Sequence, residues 1–116
     1  MRVQRIEEFT RGWFIGNFDP SIHKTSDFEV GVLTHTKGEV WAAHYHTGLE
    51  MNYLVSGQML MHGQLIQQGN VFVMEPYEVA DPEFLTDCVV LVIKIPSDPS
   101  DKYMAERSDR KLNDTI

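Results

Sequence analysis

His44, His46 and Glu50 form the spacing in this chain best suited to chemistry. Alternate residues of a strand point to the same side, so a His-x-His pair on a strand presents both imidazoles to one face and turns Tyr45 to the other. Gly48 suits a tight turn after that strand. Glu50 can then return on the neighbouring strand with its carboxylate near both rings. Two neutral imidazoles and a carboxylate on one face hold a divalent ion and leave coordination positions open for water, substrate or dioxygen. Paired histidines on a strand also occur as plain surface residues or hydrogen-bond partners. What raises this pair above that reading is the frame of residues around it.

The frame runs Gly38, His44, His46, Glu50, Gly57, with five, one, three and six residues between successive members. It resembles the first motif of the cupin family. The resemblance covers about Phe28 to Ile95. It implies an all-β fold, a double-stranded β-helix or jelly-roll barrel with a metal site inside its open end. On that likeness, residues 1–27 would be an N-terminal strand and connection, 28–96 the barrel core, and 97–116 a polar tail of the same single domain.

The second cupin motif is degenerate. In the stretch from Gly69 to Leu85, Gly69 and Pro76 are present with one extra residue between them. Glu78 stands at the glycine position after Pro76, Asp81 at the histidine position, and Leu85 at the terminal asparagine position. Three readings of Asp81 stay open. It ligates the metal with His44, His46 and Glu50, a hard donor set suited to Mn²⁺ or Fe²⁺ more than to copper. It stands back as a general base or as a hydrogen-bond partner of a ligand. Or it starts a turn, as Asp before Pro82 commonly does. Glu50 is the other candidate for moving a proton. The expected cofactor is a divalent ion, with Fe, Mn, Zn and Ni all admissible.

The elements that must position these groups read as short strands punctuated by turns. Trp13 to Phe18 closes at Asp19-Pro20, and Phe28 to Leu33 alternates as a half-buried strand. Trp41 to His46 carries the first two candidate ligands. On the next strand Met51, Tyr53 and Val55 share one face, leaving Glu50, Asn52 and Leu54 on the other. Gln58 to His62 and Gln64 to Gln67 flank Gly63 as a hairpin. Val71 to Met74, Val79 to Asp81 and Val89 to Ile95 complete the set. The last is apolar on both faces, so it belongs between layers or under a contact between subunits. After Pro96 the chain turns polar, and Tyr103 to Leu112 reads as a short helix or a loose tail.

The remaining histidines read as structural. His23 falls in a turn-rich stretch and His35 at a strand end, both suited to the surface. His62 shares a face with Gln58 and Leu60 and has an inward option. Trp41, Tyr53 and Tyr77 fill a core before they line a cavity. Cys88, the one cysteine, heads an apolar strand and reads as a small core residue. A lone cysteine forms no internal disulfide, in keeping with a reducing compartment.

Composition narrows the partners. The chain of 116 residues suffices for one core. Its 10 basic against 17 acidic residues give a net charge of -7, which repels phosphate backbones and argues against nucleic acid. The opening residues carry no apolar run of signal-peptide length, and no segment reaches a membrane span, so a cytoplasmic protein is expected. A small-molecule ligand in the barrel and a homodimer joined through the face of Met51, Tyr53 and Val55 complete the expectations. Two activities follow from the resemblance, a dioxygenase-like and a sugar isomerase- or epimerase-like one, with a non-catalytic binding or sensing module as the alternative.

Overall fold

The computed structural model describes residues 1–105. Two short 3-10 turns, Ile6–Glu8 and Thr10–Gly12, lead into eleven strands. These are β1 Trp13–Gly16, β2 His23–Lys24, β3 Glu29–His35, β4 His44–Tyr45, β5 Leu49–Ser56, β6 Gln58–Met61, β7 Gln64–Gln67, β8 Val71–Met74, β9 Glu83–Phe84, β10 Cys88–Ile95 and β11 Tyr103–Met104. Six form one sheet in the order β2-β1-β3-β10-β5-β8, three form a second in the order β7-β6-β9, and β4 pairs with β11. This is the all-β, double-sheet architecture expected.

Strand alternation builds the core. On β5, Asn52 and Leu54 are buried while Tyr53 and Val55 are exposed, the two-residue period of a sheet with one wet face. Leu54, Val90 and Val92 of the large sheet join Met59, Ile66 and Phe84 of the small one in a single cluster. Burying a side chain such as Leu54 stabilises by about 1.5–3 kcal/mol. β10 lies between β3 and β5. Its inner residues Val90 and Val92 are buried and its outer residues Leu91 and Ile93 half-buried, which accounts for its apolar run.

One glycine of the first motif has a clear packing reason. Gly57 has φ +99° and a Cβ there would lie 2.3 Å from the Asp87 carbonyl oxygen, so only glycine allows β5 to turn into β6 against that backbone.

Two sequence expectations are corrected. Val79 to Asp81 is no strand; the chain makes one bridge, Ala80 to His44, and resumes pairing at β9. Pro82 has no N–H to continue a ladder. The start of the polar tail is neither helical nor loose, because Tyr103 pairs with Tyr45 and Met104 with His44. The rings of Tyr45 and Tyr103 stack 5.3 Å apart over that pairing. The rest of the helix option, residues 106–112, lies outside the described residues.

Candidate functional site in the barrel mouth

A cavity of about 160 Å³ opens between the sheets, and His44, His46, Glu50 and Asn52 all line it. β4 supplies His44 just before the chain turns at Gly48, where a Cβ would lie 2.7 Å from the Ile95 carbonyl oxygen. Asp101 holds that turn: one carboxylate oxygen accepts from the Thr47 N–H at 2.8 Å and hydroxyl at 2.9 Å, the other from the Gly48 N–H at 2.9 Å. Burial pushes the Asp101 carboxyl up, but these hydrogen bonds outweigh it and hold it below the usual range.

The two rings stand nearly perpendicular, 5.2 Å between centroids. His44 is buried, and its Nδ1 lies 2.9 Å from the Ala42 carbonyl. A carbonyl only accepts, so Nδ1 carries the proton and Nε2 keeps its lone pair. Burial lowers the His44 pKa, against the opposing pull of that hydrogen bond. For His46, burial, then the Lys94 ammonium, then His44 bring the pKa down to about 3. Both imidazoles are therefore neutral at pH 7, as ligation requires. Glu50 Oε2 accepts from the Asn52 amide at 3.1 Å, and its other oxygen lies 3.8 Å from His46 Nδ1.

A built-in cation shares this space. Lys94 sits opposite Glu50 in the β5–β10 register, and its Nζ lies 3.2 Å from His46 Nε2. The ammonium donates to that lone pair, which places the His46 proton on Nδ1, facing Glu50. The donor types thus fit a divalent ion, with His44, His46 and Glu50 to hold it, but an arriving ion must displace Lys94 from His46. As the side chains stand, no group of three His, Cys, Asp or Glu residues converges closely enough to enclose an ion among the described residues.

Asp81 is not brought to the imidazoles. Its neighbours Ala80 and Pro82 line the cavity and Asp81 itself does not; it is buried at 1% exposure. Its Oδ1 accepts from the His62 N–H at 3.2 Å and lies 4.0 Å from His62 Nε2. His62 has φ 54°, its ring bonds to the Val79 carbonyl, and Glu78 lies 3.6 Å from its Nδ1. The residue aligned with the fourth cupin ligand braces the β6 end instead.

Other groups at the site were not expected. His35, read as a surface residue, is half-buried, stacks on Phe84 at 4.1 Å, hydrogen-bonds Glu39 at 2.7 Å and lines the cavity. Lys94 carried a legible signal, being the one charge in an otherwise apolar strand at an inward position. Arg11 and Lys102, which also line the cavity, carried none. Lys102 arrives because β11 pairs with β4, and its Nζ lies 4.6 Å from the centre of the Trp41 ring.

No protein-family model matches the chain, and no curated protein matches it. Solved structures do. A double-stranded β-helix protein from Klebsiella pneumoniae is 18% identical with a TM-score of 0.68, over 91% of this chain and 93% of that one. The DMSP lyase DddQ from Ruegeria pomeroyi is 13% identical with a TM-score of 0.68, over 80% of this chain and 49% of that one. This chain therefore matches about half the length of the lyase. An acetylacetone dioxygenase from Acinetobacter johnsonii is 14% identical with a TM-score of 0.57, over 69% of this chain and 61% of that one. RmlC-like cupins are among the further matches. The fold is the cupin fold, as the first motif implied. No helix among the described residues is long and apolar enough to cross a membrane.

Proposed function

We propose that the chain is a metal-dependent cupin enzyme acting on a small oxygenated or carbonyl metabolite in the barrel mouth. The observation that carries this reading is the pair of neutral imidazoles beside an oriented carboxylate, all lining one cavity. A divalent ion held by His44, His46 and Glu50 would supply Lewis-acid polarisation of a carbonyl or a redox centre. The chain's own part is positional. The Ala42 carbonyl fixes the His44 tautomer, Asn52 orients Glu50, and the walls of Trp13, Phe72 and Phe84 exclude water. Glu50, its carboxylate in the cavity and 3.8 Å from His46 Nδ1, is the group that would take a proton from a bound substrate or return it. Fold neighbours that include a lyase and a dioxygenase support both a proton-moving and an oxygen-using activity.

A specific observation favours a second reading, a non-catalytic module that binds or senses a metabolite. Lys94 already occupies the lone pair of His46, and the second motif supplies no fourth donor to the cavity. Elemental analysis decides between them. The protein, purified without a chelating tag and incubated with Fe²⁺, Mn²⁺, Zn²⁺ and Ni²⁺, is expected to hold a metal that His46→Ala does not. A wild type that stays metal-free in all four removes the enzyme reading.

The outer face of the large sheet is proposed to join two copies in a cytoplasmic homodimer. Tyr53 and Val55 are each 40% exposed, Val73 48% and Val71 77%, an apolar run on neighbouring strands that a monomer would leave in water. Light scattering at micromolar concentration is expected to give twice the chain mass, and a monomer would refute the dimer.

A further inference from the structure

The charge of the cavity is opposite to that of the chain. The sequence carries -7 overall, yet the cavity is lined by Arg11, Lys94 and Lys102 with Glu50 as the one carboxylate. None of the three cations has a carboxylate within ion-pair distance among the described residues. Asp101, the nearest acid in sequence to Lys102, has both oxygens engaged by Thr47 and Gly48. Glu29 faces Lys94 across the β3–β10 register and shares the adjoining crevice with Lys94, Arg11 and Asp19, outside the cavity, and burial raises its pKa despite the pull of Lys94. The cations repel one another. Burial, then Lys94, then Arg11 lower the pKa of Lys102.

Three like charges gathered around a single carboxylate are costly unless a ligand supplies more of the opposite charge. The aromatic faces do not replace it: Lys94 stands 5.3 Å from the Trp13 ring and Lys102 4.6 Å from Trp41, and such contacts are weaker than a carboxylate or phosphate partner. Size sets a limit as well. A cavity of about 160 Å³ is close to the roughly 150 Å³ that encloses benzene, so the enclosed part of the ligand has on the order of six heavy atoms.

We propose that the cavity binds a small anionic metabolite, its oxyanion set among Lys94, Lys102 and Arg11 and its carbon skeleton against Trp13 and Trp41. This rests on the reading that the barrel mouth is the substrate site, and it names the substrate class. The shared chemistry is a carboxylate or phosphate oxyanion on a compact skeleton. Lys94 then has two partners to choose between, and an anion that draws it from His46 frees the Nε2 lone pair.

The test uses the two tryptophans of the chain, both of which line the cavity. Tryptophan fluorescence and calorimetry are recorded on metal-free and on Mn²⁺-incubated protein titrated with pyruvate, with inorganic phosphate, and with methyl pyruvate, the uncharged ester. Saturable binding of an anion is expected, at least about tenfold tighter than the ester and weakening as salt is raised. Pyruvate binding alone points to a carboxylate ligand, and phosphate binding alone to a phosphate. Lys102→Met is expected to weaken the anion about tenfold, while Lys102→Arg, which keeps the charge, stays within about threefold. Equal binding of the ester, no saturable anion binding in either preparation, or an unaffected Lys102→Met overturns the inference. A protein that binds the anion yet takes up no metal retains this inference and loses the enzyme reading. One that takes up metal and binds the ester as well as the anion does the reverse.

Discussion

Two groupings of histidine with carboxylate stand in this barrel, and their surroundings have opposite sign. Around His46 the close charges are cationic: Lys94 at 3.2 Å, with Glu50 farther off at 3.8 Å. Around His62 they are acidic: Glu78 at 3.6 Å and Asp81 at 4.0 Å. The first grouping lines a cavity and keeps its nitrogens for exchangeable partners. The second is satisfied by fixed protein groups, including the Val79 carbonyl and the His62 backbone N–H. Identical residue types thus make a site in one place and a brace in the other. What separates them is the cavity, which His46 and Glu50 line and His62, Glu78 and Asp81 do not.

The comparison can be broken most directly at His46. His46→Ala is expected to lower metal affinity by more than the roughly hundredfold that losing a ligand's hydrogen-bond partner costs, with little change in Tm. If His62→Ala does the same, the two groupings are not distinct. Asp81→Ala comes next. It is expected to cost about 1–3 kcal/mol in denaturant unfolding, because a buried carboxylate leaves the His62 N–H without its acceptor. Metal content should stay unchanged, and a variant of intact stability with lost metal would instead make Asp81 a ligand.

A smaller effect is expected with pH. The unfolded chain protonates its histidines near 6.5, whereas folded His46 resists until about 3. The unfolded state therefore binds the extra proton between these values. Stability of the metal-free protein is full above pH 6.5 and declines below it by up to about 1.4 kcal/mol per pH unit. His46→Gln should flatten that decline, and an unaltered profile would assign it to other groups. The smallest effect is at Lys94. Lys94→Met removes the charge that competes for His46 Nε2, so metal affinity is expected to rise, by roughly tenfold if the charge weighs one pKa unit. A fall would make the lysine a support of the metal site.

The first motif was legible because its spacing encodes strand geometry. One intervening residue places His44 and His46 on one face, and Gly57 marks a turn that no Cβ fits. Asn52 and Leu54 faced inward as the alternation required. The place of Asp81 was not legible, since Val79 to Asp81 makes a single bridge and no strand, so the alternation that aims a strand side chain does not govern it. Lys102 and Arg11 escaped for another reason. Each reaches the cavity through a contact distant in sequence, β11 on β4 for one and the turn before β1 for the other, and local pattern carries no trace of such contacts.

Asp101 grips the amides of Thr47 and Gly48 one residue before Lys102. Occupancy of the mouth and local opening of this clasp are therefore linked equilibria. A bound anion that engages Lys102 restrains the segment holding those amides, so their hydrogen-deuterium exchange becomes a reporter of ligand binding that requires no turnover.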